Sequence, residues 1–165
     1  MSNIHNLPLV LKGVSVEPLR LPLVYWIPLI SGSLKFNVNG AVLGGILIEH
    51  VGQSLIIFSK STVFVDGPTT ELLTVKEALN LFIYSRCANS HSLYIESNCS
   101  NVVSWFQRPR STPSSFKQSI DSCISTCAGC DRSVVLVPRE CNGCADILAK
   151  RRINRHIGFE SIWHG

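Results

Sequence analysis

Lys35-Phe36-Asn37-Val38-Asn39-Gly40 carries the pattern on which the fold turns. Phe36 and Val38 fall to one side and Asn37 and Asn39 to the other, the period-two alternation of a strand, and Gly40 closes it. Just upstream, Trp26 and Pro28 precede Ser31-Gly32-Ser33, a turn that launches the strand. Downstream, residues 41–49 form a second strand. Gly44 and Gly45 lie inside it, where another group approaches the backbone closely. Residues 51–53 are a short turn, and the β-branched and aromatic run 54–64 is a third strand. Three strands with tight links make an antiparallel meander.

Beyond the meander the period changes. Thr69 or Thr70 is placed to cap a helix opening at Glu71. Leu72, Leu73, Val75, Ala78, Leu79, Phe82 and Ile83 then recur at helical spacing to about Arg86. Ser92–Glu96 reads as a fourth strand. Ser97 and Asn98 are candidate caps for a short helix carrying Val102, Val103, Trp105 and Phe106. Residues 108–113 are a linker, Ser114–Cys127 a helix, and Ser133–Pro138 a fifth strand. A last helix spans about Asn142 to Arg152, and the tail 153–165 has no clear period. The order β-β-β-α-β-α-α-β-α predicts an α/β domain over residues 34–152. Its mixed five-stranded sheet has three antiparallel strands followed by parallel ones, with helices on both faces.

Composition narrows the setting. The 165 residues suit one domain with its own core, since 45% are apolar and only 16% charged. A formal net charge of +4 allows a polyanionic partner without requiring one. Seven cysteines, an odd number, imply reduced thiols in an intracellular compartment, with nucleus and cytoplasm both open. Residues 1–33 are apolar, but Pro8, Pro18, Pro22 and Pro28 interrupt them and Lys12, Glu17 and Arg20 are charged. No run reaches the roughly 20 residues of a membrane span. Met1 to His5 lack the basic region of a secretory leader. The segment reads as an extended arm that lies on the domain or docks on a protein partner.

The element order resembles ribonuclease H type 1. Four motifs look like the plant ribonuclease H-like domains related to the C-terminal parts of non-LTR retroelement reverse transcriptases. They are residues 26–29 with 34–40, 71–79 (Glu71 to Leu79), 94–105 (Tyr94 to Trp105) and 137–150 (Val137 to Lys150). The resemblance implies two-metal hydrolysis of the RNA strand of an RNA–DNA hybrid, with Mg²⁺ as cofactor and hard anionic oxygens as ligands. The family supplies an aspartate on the first strand, a glutamate at the start of the first helix, an aspartate after the fourth strand and an aspartate on the last helix. Here the glutamate is Glu71 and the last aspartate Asp146, the two remaining candidate metal ligands. The other two aspartate positions hold Asn39 and Asn98, and Leu136 takes the place of a loop histidine. Catalysis is therefore expected to be impaired and Mg²⁺ binding weak or absent.

Arg108, Arg110 and Lys117 form one basic cluster, and Lys150, Arg151, Arg152 and Arg155 another. The family's basic protrusion after the second helix touches the hybrid backbone, so the first cluster is the expected nucleic-acid contact. Cys127-x-x-Cys130 and Cys141-x-x-Cys144 have zinc-ligand spacing. The fifth strand separates the two pairs by roughly 20 Å, so zinc is not expected. Three functional readings result: a domain that binds hybrid or double-stranded RNA without cutting it, a weakly active hybrid ribonuclease, and a protein-interaction module using the arm 1–33.

Overall fold

The computed structural model describes residues 9–11, 14–16, 29–40, 43–60, 66–128, 131–143 and 159–162. Strands β1 (Leu9–Leu11) and β2 (Val14–Val16) pair antiparallel with each other, so the segment expected as an extended arm contains a two-stranded ladder. The main sheet starts at β3 (Ser33–Asn39), pairs antiparallel with β4 (Gly44–Glu49), and continues through β5 (Ser54–Ser59). Helix α1 (Gly67–Ile83) crosses to β6 (Ser92–Ser97), which pairs parallel with β3. Helices α2 (Ser100–Gln107) and α3 (Ser114–Cys127) lead to β7 (Arg132–Leu136), parallel to β6. These five strands are the expected mixed sheet. A sixth, β8 (Phe159–Ile162), pairs antiparallel with β5, so the tail that shows no period in sequence takes an edge of the sheet. The spatial order is β7-β6-β3-β4-β5-β8.

Several boundaries move for local reasons. Helix α1 begins at Gly67, four residues before Glu71, because Asp66 is its cap and accepts Thr69 N at 2.9 Å. Pro68 fits the first turn, where a missing N–H costs nothing. Thr69 and Thr70 are therefore inside the helix. Helix α2 begins at Ser100 without a side-chain cap. Ser97 instead accepts Cys99 N at 3.1 Å in the turn before it. The last predicted helix opens as a 3-10 turn, Arg139–Asn142, and its residues 144–152 lie outside the described ones, as do positions 41–42 and 61–64 of the second and third predicted strands.

β3 is buried along its whole length. Leu34, Phe36 and Val38 join Leu47, Ile56, Phe58 and the α1 residues Leu72, Val75, Leu79 and Phe82 in one apolar cluster. The alternate residues Lys35, Asn37 and Asn39 project from the opposite face and are also buried. The close approach expected at the glycine pair is found at Gly45. A Cβ there would lie 3.1 Å from Phe36 Cε1 and nearer still to Phe58, whose rings pack edge-on with centroids 5.7 Å apart. Helices α1, α2 and α3 pack on one another. α1 lies over β3, β4 and β6, and α2 against β7. No helix among the described residues is long and apolar enough to cross a membrane.

Candidate active site

β3, β6 and β7 run parallel, so their carboxyl ends share one end of the sheet. The chain leaves β3 for β4 on one side and returns as β6 on the other. The crevice beyond these ends is thus the switch point where α/β folds place their sites. Asn39 is the last residue of β3, opposite Gly44, and only 4% exposed. Asn98 follows the end of β6 and is half-buried. Each lies two residues beyond the paired couple Asn37 and Glu96, so the register brings both amides to the crevice mouth. Leu136, at the predicted histidine position, ends β7 opposite Ser97 and is 53% exposed. Asp146 lies outside the described residues.

Glu71 reaches this end from α1, and both its oxygens are engaged. Gly40 N donates to Oε2 at 2.5 Å, and the Ser97 hydroxyl donates to Oε1. One carboxylate thus bolts the ends of β3 and β6 to α1. Burial pushes its pKa above the ordinary 4.5, and the bonds from Ser97 and Gly40 pull it back in part. The native state therefore holds this proton more tightly than the unfolded chain does. Its stabilising contribution is full below pH 4.5 and is lost as pH rises through the raised native value. Urea melts at a series of pH values should show the wild type losing stability across that window relative to Glu71→Gln. An identical pH profile for the two would contradict the assignment.

The next carboxylate along β6, Glu96, is neutralised within the fold. Lys35 Nζ sits 2.9 Å from its Oε1 and Asn37 Nδ2 donates to Oε2 at 3.0 Å. Asn37 also donates to Cys141 O at 3.4 Å, tying the 3-10 turn to this network. From the same turn, Asn142 is fully buried and its Nδ2 donates to Val38 O, beside Asn39. Its Oδ1 is buried with no hydrogen-bond partner among the described residues. Sequence reasoning missed the roles of Lys35, Glu96, Ser97 and Asn142. Their only signal was polar residues in strand and motif positions that the pattern leaves buried.

A pair of divalent cations does not fit the described donors: one carboxylate with both oxygens committed, and two neutral amides. Among the described residues there is no group of three or more His, Cys, Asp or Glu able to hold a metal. Cys127 ends α3 and Cys141 follows β7, so the five residues of that strand separate them. Cys130 and Cys144 lie outside the described residues. Burial pushes the Cys123 thiol up to about 11, which makes it a poor nucleophile.

The basic residues lie elsewhere. Arg108 caps the C-terminus of α2 with Nη2 3.1 Å from Ser104 Oγ. Arg110 sits in the 3-10 turn Pro109–Ser111, and Lys117 in the first turn of α3 pairs with Asp121 at 2.8 Å. All three are exposed, and the turn packs on both helices, so they share one corner of the domain. The N-terminus of α1 offers anions less, because the Asp66 carboxylate already takes the Thr69 N–H there and is held below its ordinary pKa by it.

The sequence model of the reverse transcriptase-like family matches residues 30–152, and the chain belongs to that family. Its fold is ribonuclease H-like. The ribonuclease H1 LC11, isolated from compost by a metagenomic approach, superposes with a TM-score of 0.63 at 16% identity, over 74% of this chain and 96% of that one. The same enzyme in complex with an RNA/DNA hybrid gives 0.58 at 18%, over 66% and 81%. Ribonuclease H1 from the halophilic archaeon Halobacterium salinarum NRC-1 gives 0.58 at 17%, over 67% and 83%. At these identities the likeness establishes the fold. No curated protein matches the chain.

Proposed function

We propose that this is a retroelement-derived ribonuclease H-like domain, of the kind found in plants, that binds RNA–DNA hybrid or double-stranded RNA without cleaving it. The carrying observation is the loss of charge at the crevice. Asn39 and Asn98 occupy the two strand ends, and Glu71 spends both oxygens on Gly40 and Ser97. At 4 Å and an effective dielectric near 20, one unit charge pair is worth about 4 kcal/mol. Two missing carboxylates leave adjacent divalent ions without the anions that offset their repulsion. A loss of about 4 kcal/mol in the transition state is already roughly a thousandfold in rate. In this reading Mg²⁺ is weak or absent, zinc is not expected, and Glu71 with Asp146 are remnants of a metal centre.

Binding needs no metal. Arg108, Arg110 and Lys117 reach phosphates from their shared corner, and phosphate contacts position a duplex without reading sequence. A ribonuclease H1 of the same fold is known in complex with an RNA/DNA hybrid, which supports that ligand class. The free thiols described here suit a reducing compartment.

The test uses labelled hybrid and the whole chain. No turnover is expected in Mg²⁺ or Mn²⁺, and Asn39→Asp with Asn98→Asp is the rescue control. Fluorescence anisotropy should show affinity falling steeply with salt, and Arg108→Ala or Arg110→Ala should each lower the salt slope by about 1. Clear turnover by the unaltered chain would make it a weak hydrolase. Absence of binding at low salt, with a protein partner lost on deleting residues 1–33, would make it an interaction module.

A further inference from the structure

Asn-Gly is the dipeptide most prone to spontaneous deamidation, because glycine leaves its own nitrogen unshielded. The sequence contains two such steps, Asn39-Gly40 and Asn142-Gly143. They lie 103 residues apart and the fold brings them together, since Asn142 Nδ2 donates to the carbonyl of Val38 beside Asn39. Both asparagines are buried, at 4% and 0% exposure. We infer that the fold makes this pair of reactive steps a guarded modification site: native packing suppresses deamidation at both, and Glu71 is the guard of the first.

The chemistry has a defined geometric demand. The nitrogen of the following glycine must lose its proton and bond to the asparagine Cγ. The Cγ–Nδ2 bond then breaks, ammonia leaves, and water opens the resulting cyclic imide to aspartate or isoaspartate. Ring closure requires the backbone to rotate out of its regular well. At Asn39 the backbone is held in β3 by the ladder to Gly44. Asn39 projects from the face opposite α1, while Gly40 N–H points to the Glu71 carboxylate that α1 carries. A Cβ built on Gly40 would lie within 2.6 Å of Glu71 Cα, so helix backbone presses on this peptide and leaves it no room to turn. At Asn142 the would-be leaving amide is itself donated to Val38 O, and Gly143 sits in the helical well at φ −59°, ψ −33°. Deamidation there would place a carboxylate oxygen against a carbonyl oxygen.

The outcome matters because of where the amides are. Aspartate formed at position 39 would return a carboxylate to the end of β3. Isoaspartate would lengthen the main chain by one methylene and break the pairing with Gly44. The guard keeps the end of β3 an amide.

Native protein is incubated at mildly alkaline pH beside the same protein in urea, and digests are followed by mass spectrometry for the amide-to-acid mass gain at each step. Both steps should convert in urea. In the native state both should be slower by at least about a hundredfold, since reaction then waits on an opening of about 2.8 kcal/mol. Folded Glu71→Gln should speed conversion at Asn39 while Asn142 stays protected, a selectivity that general loosening would not produce. Should Glu71→Gln fail to fold, Glu71→Asp, whose shorter side chain withdraws the acceptor from Gly40 N, takes its place with the same selectivity expected. Native conversion as fast as in urea would overturn the inference. So would equal acceleration of the two steps in the folded variant.

Discussion

Gly40→Ala is expected to destabilise the domain by on the order of 3–5 kcal/mol, seen as a large fall in urea midpoint at unchanged m-value. The requirement for glycine is not conformational, since the positive-φ glycines among the described residues are Gly32 and Gly52. It is a matter of distance. An added Cβ would meet Glu71 Oε2, and also Glu71 N and Cα within 2.6 Å. A side chain can swing away, but helix backbone cannot, so α1 would have to lift from β3. Lifting it strands the Glu71 carboxylate, which loses the Gly40 N–H and the Ser97 hydroxyl while still largely buried. For a domain with the usual 5–15 kcal/mol in hand, that is a large share. The double variant Gly40→Ala with Glu71→Ala separates the causes. It should recover little, because the backbone collision persists. Full recovery would show that only the side chain was in the way.

The second large effect lies one layer deeper. Lys35→Met should cost about 3–5 kcal/mol, because it leaves the Glu96 side chain buried without its cation. Lys35 and Glu96 side chains are only 5% and 10% exposed, and their ion pair spans β3 and β6 directly below the crevice. Removing both charges together is a different experiment. Lys35→Met with Glu96→Leu exchanges the pair for apolar volume and should come close to wild-type stability. The cycle built from the two singles and the double then reports the coupling, which should reach at least about 2 kcal/mol. A single Lys35→Met variant as stable as wild type would show that the pair is dispensable and that Asn37 alone holds Glu96.

The two predictions share a physical origin. Around the crevice the described residues form an interlocked set of amides and two committed carboxylates, Glu71 and Glu96. The polar groups around the crevice are spent on one another: Glu71 on Gly40 and Ser97, Glu96 on Lys35 and Asn37, Asn142 on Val38. That geometry is suited to holding the sheet end together, and among the described residues it leaves little free anionic oxygen for a cation.

The sequence by itself determined a strand at about 35–40, observed at 33–39, the helix Ser114–Cys127, the order of the elements from that strand to β7 and the identities at the motif positions Asn39, Glu71 and Asn98. Those signals are local. A period of two or 3.6 residues, or a residue type at a motif position, is legible without knowing what lies across space. The cap of α1 was only half legible, because Asp66, Thr69 and Thr70 are all good caps and the choice among them depends on where the preceding strand lets the chain go. The tail was not legible, since β8 gains its partners only when β5 is already in place as an edge. Tertiary structure alone decided why position 40 must be glycine, why a lysine and a glutamate can be buried, and which groups Glu71 serves. Each of those answers comes from residues far apart in sequence, 31 between Gly40 and Glu71 and 104 between Val38 and Asn142. A one-dimensional pattern carries no distance between such residues. Packing and the pairing of buried polar groups set it only once the sheet has formed.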